Sequence, residues 1–182
     1  MLTSSSTTFW TVGHSTRAAD EFIQLLLGHE VQAVADVRRF PASRRHPHFA
    51  RERLEAELAP HDIAYHWLPD LGGRRTPRPD SINTGWRVAA FKGYADYMET
   101  PEFAEAFGQL VAHGKVRRTA VMCAEALWWQ CHRRLIADAL TAAGYQVVHI
   151  ETREKASPHK FIAPARLVSG RLTYAAEQLD LG

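Results

Sequence analysis

The sequence predicts a single α/β domain, with a mostly parallel sheet covered on both faces by helices in a Rossmann-like, three-layer arrangement. Three observations predict it. Short apolar runs that end at Gly, Asp or Cys alternate along the chain with stretches of helical periodicity. The 182 residues suit one compact core and are too few for two ordinary domains, and the composition, 46% hydrophobic and 23% charged, is that of a globular chain. Strands that alternate with helices return in parallel, because the crossover between parallel strands is itself the helix.

The elements follow in order. Residues Met1 to Thr8 are rich in Ser and Thr with no basic leader, and read as an extended or disordered N-terminus. Phe9-Trp10-Thr11-Val12 is a strand stopped by Gly13, and Phe22, Leu25, Leu26 and His29 then share one helical face, with Ser15 or Thr16 as cap and Asp20 and Glu21 at the positive end of the dipole. Val31 to Val37 is a second strand that runs into a basic loop. Phe49 to Leu58 is an amphipathic helix, and Ile63 to Trp67 alternates as a strand ending at Pro69. From Leu71 to Gly93 the chain is rich in Gly, Pro, Asn and Arg without periodicity, which predicts a lid or binding loop. Thr100-Pro101-Glu102 starts a helix with Phe103, Phe107, Leu110 and Val111 inward. Thr119 to Cys123 is a strand, Cys131 to Ala143 a helix closed by Gly144, and Gln146 to Ile150 the last core strand. Residues 151–182 form an extension with a hairpin from Arg166 to Tyr174, turning at Ser169-Gly170.

Two cysteines make no disulfide framework, and the absence of a long apolar run predicts a cytoplasmic chain in which both stay thiols. The formal charge of +2 is too mild to mark a nucleic-acid binder, yet half of the Lys and Arg residues fall between Arg38 and Lys92. In open parallel sheets ligands bind beyond the carboxyl ends of the strands. The polar clusters Gly13-His14-Ser15, Asp36-Val37-Arg38, Leu71-Gly72-Gly73-Arg74 and Cys123-Ala124-Glu125 all follow predicted strands, so they are expected at one edge.

Cys123 ends a buried strand, and Cys131 is expected near the first turn of a helix, where free N–H groups favour a thiolate. Glu125 is placed to act as a base or to orient a neighbour; His132 and Arg133 are placed to lower a thiol pKa or hold an anion. Against this stands the ordinary role of free cysteine as a small buried hydrophobe. Asp36 and Arg38 leave their strand on the same face, either as an internal ion pair holding the loop or as part of an anion site. Trp128 and Trp129 offer stacking surfaces or core anchors. Asn83, Trp86 and Arg87, with Lys92, Tyr94 and Tyr97, make either a stacking, anion-holding surface or a plug at the sheet edge. The spacing Cys-x7-Cys-His is no standard zinc pattern, and the residues point to no metal site and no particular cofactor.

The run Val12-Gly13-His14-Ser15-Thr16-Arg17, then Asp36-Val37-Arg38 with Pro41 and Ser43-Arg44-Arg45, Leu71-Gly72-Gly73-Arg74, Gly93-Tyr94-Ala95-Asp96-Tyr97-Met98, and Cys123-Ala124-Glu125 with Cys131-His132-Arg133 resembles the prokaryotic family of domain of unknown function 488. The resemblance spans about Thr11 to Ile150 and implies an α/β fold with no assigned activity. Asp-Val-Arg after an early strand and a cysteine ending a later one are similar to rhodanese and Cys-phosphatase domains. Those place an arginine soon after the cysteine, whereas here Trp128 and Trp129 follow and Arg133 comes later. Cys131-His132-Arg133 is similar to the core of alkylguanine DNA alkyltransferases, with Gln130 in place of their proline.

These readings converge on a cysteine-dependent enzyme acting on an anionic, phosphate- or nucleotide-like ligand. Cys123 is the expected nucleophile, with Glu125 and His14 as polar partners. Arg38, Arg74 and Arg133 are the expected anion holders, and Ser15, Asp36, Gly72, Gly73, Tyr94, Cys131 and His132 complete the site. The alternative is a non-catalytic domain that uses the same site to bind a small ligand or a nucleic acid.

Overall fold

The computed structural model of the chain describes residues 7–42 and 44–177. Most of the expected N-terminal extension, and Ser43 of the basic loop, lie outside the described residues. Six strands form one sheet: β1 (Thr8–Gly13), β2 (Ala33–Asp36), β3 (Ala64–Trp67), β4 (Thr119–Cys123), β5 (Gln146–Ile150) and β6 (Ala156–Pro158), in the order β3-β2-β4-β1-β5-β6. The first five run parallel, and β6 closes one edge antiparallel to β5. The predicted α/β fold is therefore the observed one.

Helices α1 (Ala19–Gly28) and α2 (Arg51–Leu58) cover one face, and α3 (Ala89–Tyr97), α4 (Pro101–Val116) and α5 (Arg133–Ala142) cover the other. Strand side chains alternate between these faces. Val12, Val34, Ala120 and Met122 pack with Phe22, Leu26, Leu54 and Leu58 on the first. Phe9, Ala35, Val121, Cys123 and Val147 pack with Tyr94, Leu110, Leu135 and Leu140 on the second. Parallel strands buried on both sides explain why β2 and β4 read as continuous apolar runs.

Local chemistry sets the element ends. Thr100 caps α4, its hydroxyl accepting the Phe103 N–H at 3.3 Å. Gly144 takes φ +90° after α5, a conformation that glycine adopts without strain. The hairpin of β7 (Arg166–Val168) and β8 (Arg171–Thr173) turns at Ser169 and Gly170, both at positive φ, as two-residue turns require.

Three expectations need correction. Neither Ser15 nor Thr16 caps α1: the helix begins after Ala18 with no side-chain cap, and Ser15 sits at φ +52° in the turn before it. The loop expected to run to Gly93 ends earlier, because α3 starts at Ala89. Gly93 lies inside that helix because a Cβ there would stand 2.2 Å from the Arg75 carbonyl oxygen. The extension after β5 also contributes a strand to the main sheet, β6, besides its hairpin.

Candidate functional site

Residues 13–16, 36–38, 71–74 and 123–126 follow the carboxyl ends of β1, β2, β3 and β4, and backbone bonds tie two of these turns together. The His14 N–H donates to the Cys123 carbonyl and the Ser15 N–H to the Ala124 carbonyl, both at 3.0 Å. Gly13 is required by this approach, since a Cβ there would stand 1.9 Å from the Glu125 carbonyl oxygen. The clusters share an edge. Their side chains, however, divide between the two faces of the sheet.

On the α1/α2 face, Asp36 is fully buried and accepts from the Arg38 backbone N–H at 3.0 Å, from Arg38 Nε at 2.9 Å, from Arg38 Nη2 at 2.6 Å and from the Tyr65 hydroxyl at 2.5 Å. Burial opposes the charge of Arg38, but Asp36 more than compensates and holds the guanidinium protonated. Burial and the Asp36 carboxylate push the Tyr65 phenol far up. Arg38 Nη1 lies 3.2 Å from His14 Nε2, and His14 Nδ1 lies 2.9 Å from the Ser15 carbonyl. Because the guanidinium can only donate and the carbonyl can only accept, His14 carries its proton on Nδ1. Burial lowers the His14 pKa to about 4, with Arg38 adding to the effect, so the ring is neutral and its Nε2 lone pair is occupied. The ring stacks on Phe49 at 4.1 Å. Above this group opens a cleft of about 390 Å³ lined by His14, Ser15, Arg38, Arg45, His46 and Glu125, among others.

On the opposite face, Cys123 Sγ lies 2.7 Å from Cys131 Sγ, and both residues are buried and free of disulfides. Arg133 Nε donates to Cys123 Sγ at 3.0 Å, and the Arg133 backbone N–H reaches Cys131 Sγ at 3.5 Å, where the sulfur stands in for the missing helix cap. The guanidinium is 1% exposed. Its other partners are the Glu125 carbonyl at 2.5 Å, the Ala126 carbonyl at 3.3 Å and Thr11 Oγ1 at 3.3 Å. Among the described residues no carboxylate lies within ion-pair distance of it. A buried charge without a counter-charge is costly, and the two sulfurs are the nearest side-chain groups able to ionise. Accepting a hydrogen bond from Cys123, with Arg133 and the helix N–H adding to it, lowers the Cys131 pKa to about 6 despite burial. Burial, and donation to Cys131, pushes the Cys123 thiol well up. The two shifts run in opposite directions, as they do when a close pair shares one proton. Burial also lowers the His132 pKa, leaving a neutral ring whose Nδ1 is 3.5 Å from Cys131 Sγ.

Behind the thiols runs a chain of hydrogen bonds that the sequence reading did not find. Thr11 Oγ1 meets His149 Nδ1 at 2.7 Å, His149 Nε2 meets His159 Nδ1 at 2.9 Å, and His159 Nε2 meets Asp138 Oδ1 at 2.8 Å. The Tyr174 hydroxyl donates to Asp138 Oδ2 at 2.9 Å. Donation running from Arg133 through Thr11, His149 and His159 to Asp138 satisfies every member. Trp128 stacks flat on His149 at 4.0 Å. Burial, with His159 and Arg133 adding to it, lowers the His149 pKa to about 3 and keeps it neutral. A polar His149 on the face of β5 that also carries buried Val147 was the one available signal.

Of the expected site residues, His14, Ser15, Arg38 and Glu125 line the cleft and Asp36 braces it, while Cys123, Cys131, His132 and Arg133 gather behind the sheet. Glu125 is exposed, with its carboxylate 3.5 Å from the Leu127 N–H. The loop residues serve packing. Tyr94 is fully buried and donates to the Leu71 carbonyl at 2.8 Å, a Cβ on Gly73 would lie 2.9 Å from His132 Nδ1, and a Cβ on Gly72 would meet the Pro69 carbonyl oxygen at 2.7 Å. Arg74 is exposed at φ +61°. The neighbouring Arg75 lies over the Tyr97 ring at 3.5 Å. Among the described residues no helix is long and apolar enough to cross a membrane.

The sequence matches the family described as domain of unknown function DUF488 over residues 18–140. The chain belongs to the DUF488 family. No curated protein and no solved structure matches it. The stretch that defines DUF488 membership holds Asp36, Arg38, both cysteines and Arg133, while His14 lies before it and His149 and His159 after it.

Proposed function

We propose that this DUF488 protein is a cysteine-dependent enzyme whose reactive group is the Cys131 thiolate, with Cys123 as its hydrogen-bond donor and Arg133 as its counter-charge. The observation that carries this reading is a fully buried guanidinium with no carboxylate in reach, its Nε 3.0 Å from the sulfur of Cys123, which lies 2.7 Å from that of Cys131. Cys131 takes the nucleophile's role from Cys123 because it sits at the start of α5, where the Arg133 backbone N–H reaches its sulfur, and because its pKa is lowered while that of Cys123 is raised. Neutral His132 beside it is placed to pass a proton. The thiolate ultraviolet absorbance of the reduced protein, followed against pH, tests the reading. One thiolate per chain should appear with a midpoint near 6 and vanish in Cys131→Ser. A first midpoint at the ordinary cysteine value of about 8.5 would overturn it.

A second reading rests on the other face. Arg38 is fixed by Asp36 and His14 beneath an open cleft that Arg45 and His46 also line, so binding there would find its cation already oriented. This supports a site for a phosphate-like anion. Titration with inorganic pyrophosphate should shift the thermal midpoint of the wild type and not that of Arg45→Ala, and no shift in either would remove this reading.

A further inference from the structure

Resting on the thiolate reading above, we propose that Cys123 and Cys131 form a dithiol redox centre that reduces small hydroperoxides and passes reversibly to a Cys123–Cys131 disulfide. Three observations lead there. The sulfurs touch, so the second thiol stands where a resolving cysteine must stand. Both are nearly enclosed, Cys123 at 3% and Cys131 at 6% exposure, which disfavours a folded protein as the reacting partner and favours a small reagent. Arg133 Nε lies 3.0 Å from Cys123 Sγ, so a cation stands beside the sulfur pair and favours the thiolate that must attack.

The steps balance. The Cys131 thiolate attacks one oxygen of the hydroperoxide, the O–O bond breaks, and the leaving alkoxide or hydroxide takes a proton from water, giving an alcohol or water and Cys131 sulfenic acid. The Cys123 sulfur then attacks the sulfenic sulfur. Its thiol proton leaves with the departing hydroxide as water, and the disulfide forms. Two thiols have given up two electrons and the hydroperoxide has taken them. An external small dithiol returns the centre to its starting state by exchange and is itself oxidised. During the cycle Arg133 loses its anionic partner and keeps its bonds to Thr11 and to the Glu125 and Ala126 carbonyls.

The test treats the reduced full chain with one equivalent of hydrogen peroxide near neutral pH. The expected result is loss of both thiols, a mass lower by two hydrogens, a Cys123–Cys131 cross-linked peptide, and full recovery with dithiothreitol. Cys123→Ser should stop at a sulfenic acid on Cys131 that dimedone traps, and Cys131→Ser should lose its remaining thiol several-fold more slowly. Two thiols that survive excess peroxide, or oxidation that adds oxygen without cross-linking, would overturn the proposal. The wild-type titration decides even where a variant fails to fold. A thiolate seen by absorbance but no disulfide on oxidation would defeat the redox proposal and leave the thiolate reading standing; no thiolate would defeat both.

Discussion

Replacing Arg133 with methionine removes the buried guanidinium while keeping most of its volume, and the structure fixes what should follow. The substitution deletes the bonds to Cys123 Sγ, Thr11 Oγ1 and the Glu125 and Ala126 carbonyls, and strands a thiolate among apolar groups. Breaking a buried charge pair from one side costs about 3–5 kcal/mol. The pH dependence is the sharper signature. Cys131 titrates near 6 when folded and about 8.5 when unfolded, so its contribution is complete above the unfolded value and is lost as pH falls through the folded one. Between pH 6.5 and 8.5 linkage gives a rise in stability of about 2 kcal/mol. His14 and His149, with folded pKa values of about 4 and about 3, lose most of their contributions below the ordinary histidine value of about 6.5, and each adds only about 0.4 kcal/mol of rise at the acid end of this window. Urea unfolding of the reduced protein across the window should show the rise for the wild type and a lower, shallower line for Arg133→Met. A flat wild-type line would refute the assignment of a thiolate to this pair, and an Arg133→Met line with the full wild-type slope would refute the part given to Arg133.

Other substitutions probe the frame. Asp36→Asn leaves Arg38 buried without its carboxylate and should cost about 3–5 kcal/mol in urea unfolding, with part of the loss recovered when Arg38→Met is added. Gly13→Ala drives a Cβ against the Glu125 backbone, which cannot swing aside, and should cost about 1–3 kcal/mol in thermal unfolding; Gly108→Ala in α4, where nothing lies within 4 Å, should stabilise by up to about 1 kcal/mol. Thr100→Ala removes the α4 cap and should lower stability by about 1 kcal/mol in the same assay.

The chain shows in detail what a sequence makes legible. β4 and β5 are read with the bounds observed, β4 because a strand buried on both faces is a nearly unbroken apolar run and β5 because it follows the helix that Gly144 closes. The shared edge of the polar clusters follows from topology alone. Their division between faces does not, although the alternation contains it: Val12 and His14 point one way, Thr11 and Gly13 the other, and the registers of Gly13 with Cys123 and Asp36 with Met122 carry the split across the sheet. Register between strands distant in sequence is a property of packing. Gly93 misled for a related reason, since its small size serves the contact with Arg75 and does not end the helix around it. β6 is three residues long and ends in proline, so it carries no periodicity to read.

The matched stretch, 18–140, omits both β1 and β5. Yet β1 lies between β4 and β5 at the middle of the sheet, and it supplies Thr11 to Arg133 and Gly13 to the turn against Glu125. A fragment trimmed to those limits would present β4 as an open edge and leave Arg133 short of a partner, inviting aggregation where the whole chain folds. The boundary drawn by similarity and the boundary drawn by cohesion differ in this protein. The second runs at least from Thr8 to Tyr174, whose hydroxyl closes the hydrogen-bonded line that starts at the sulfurs.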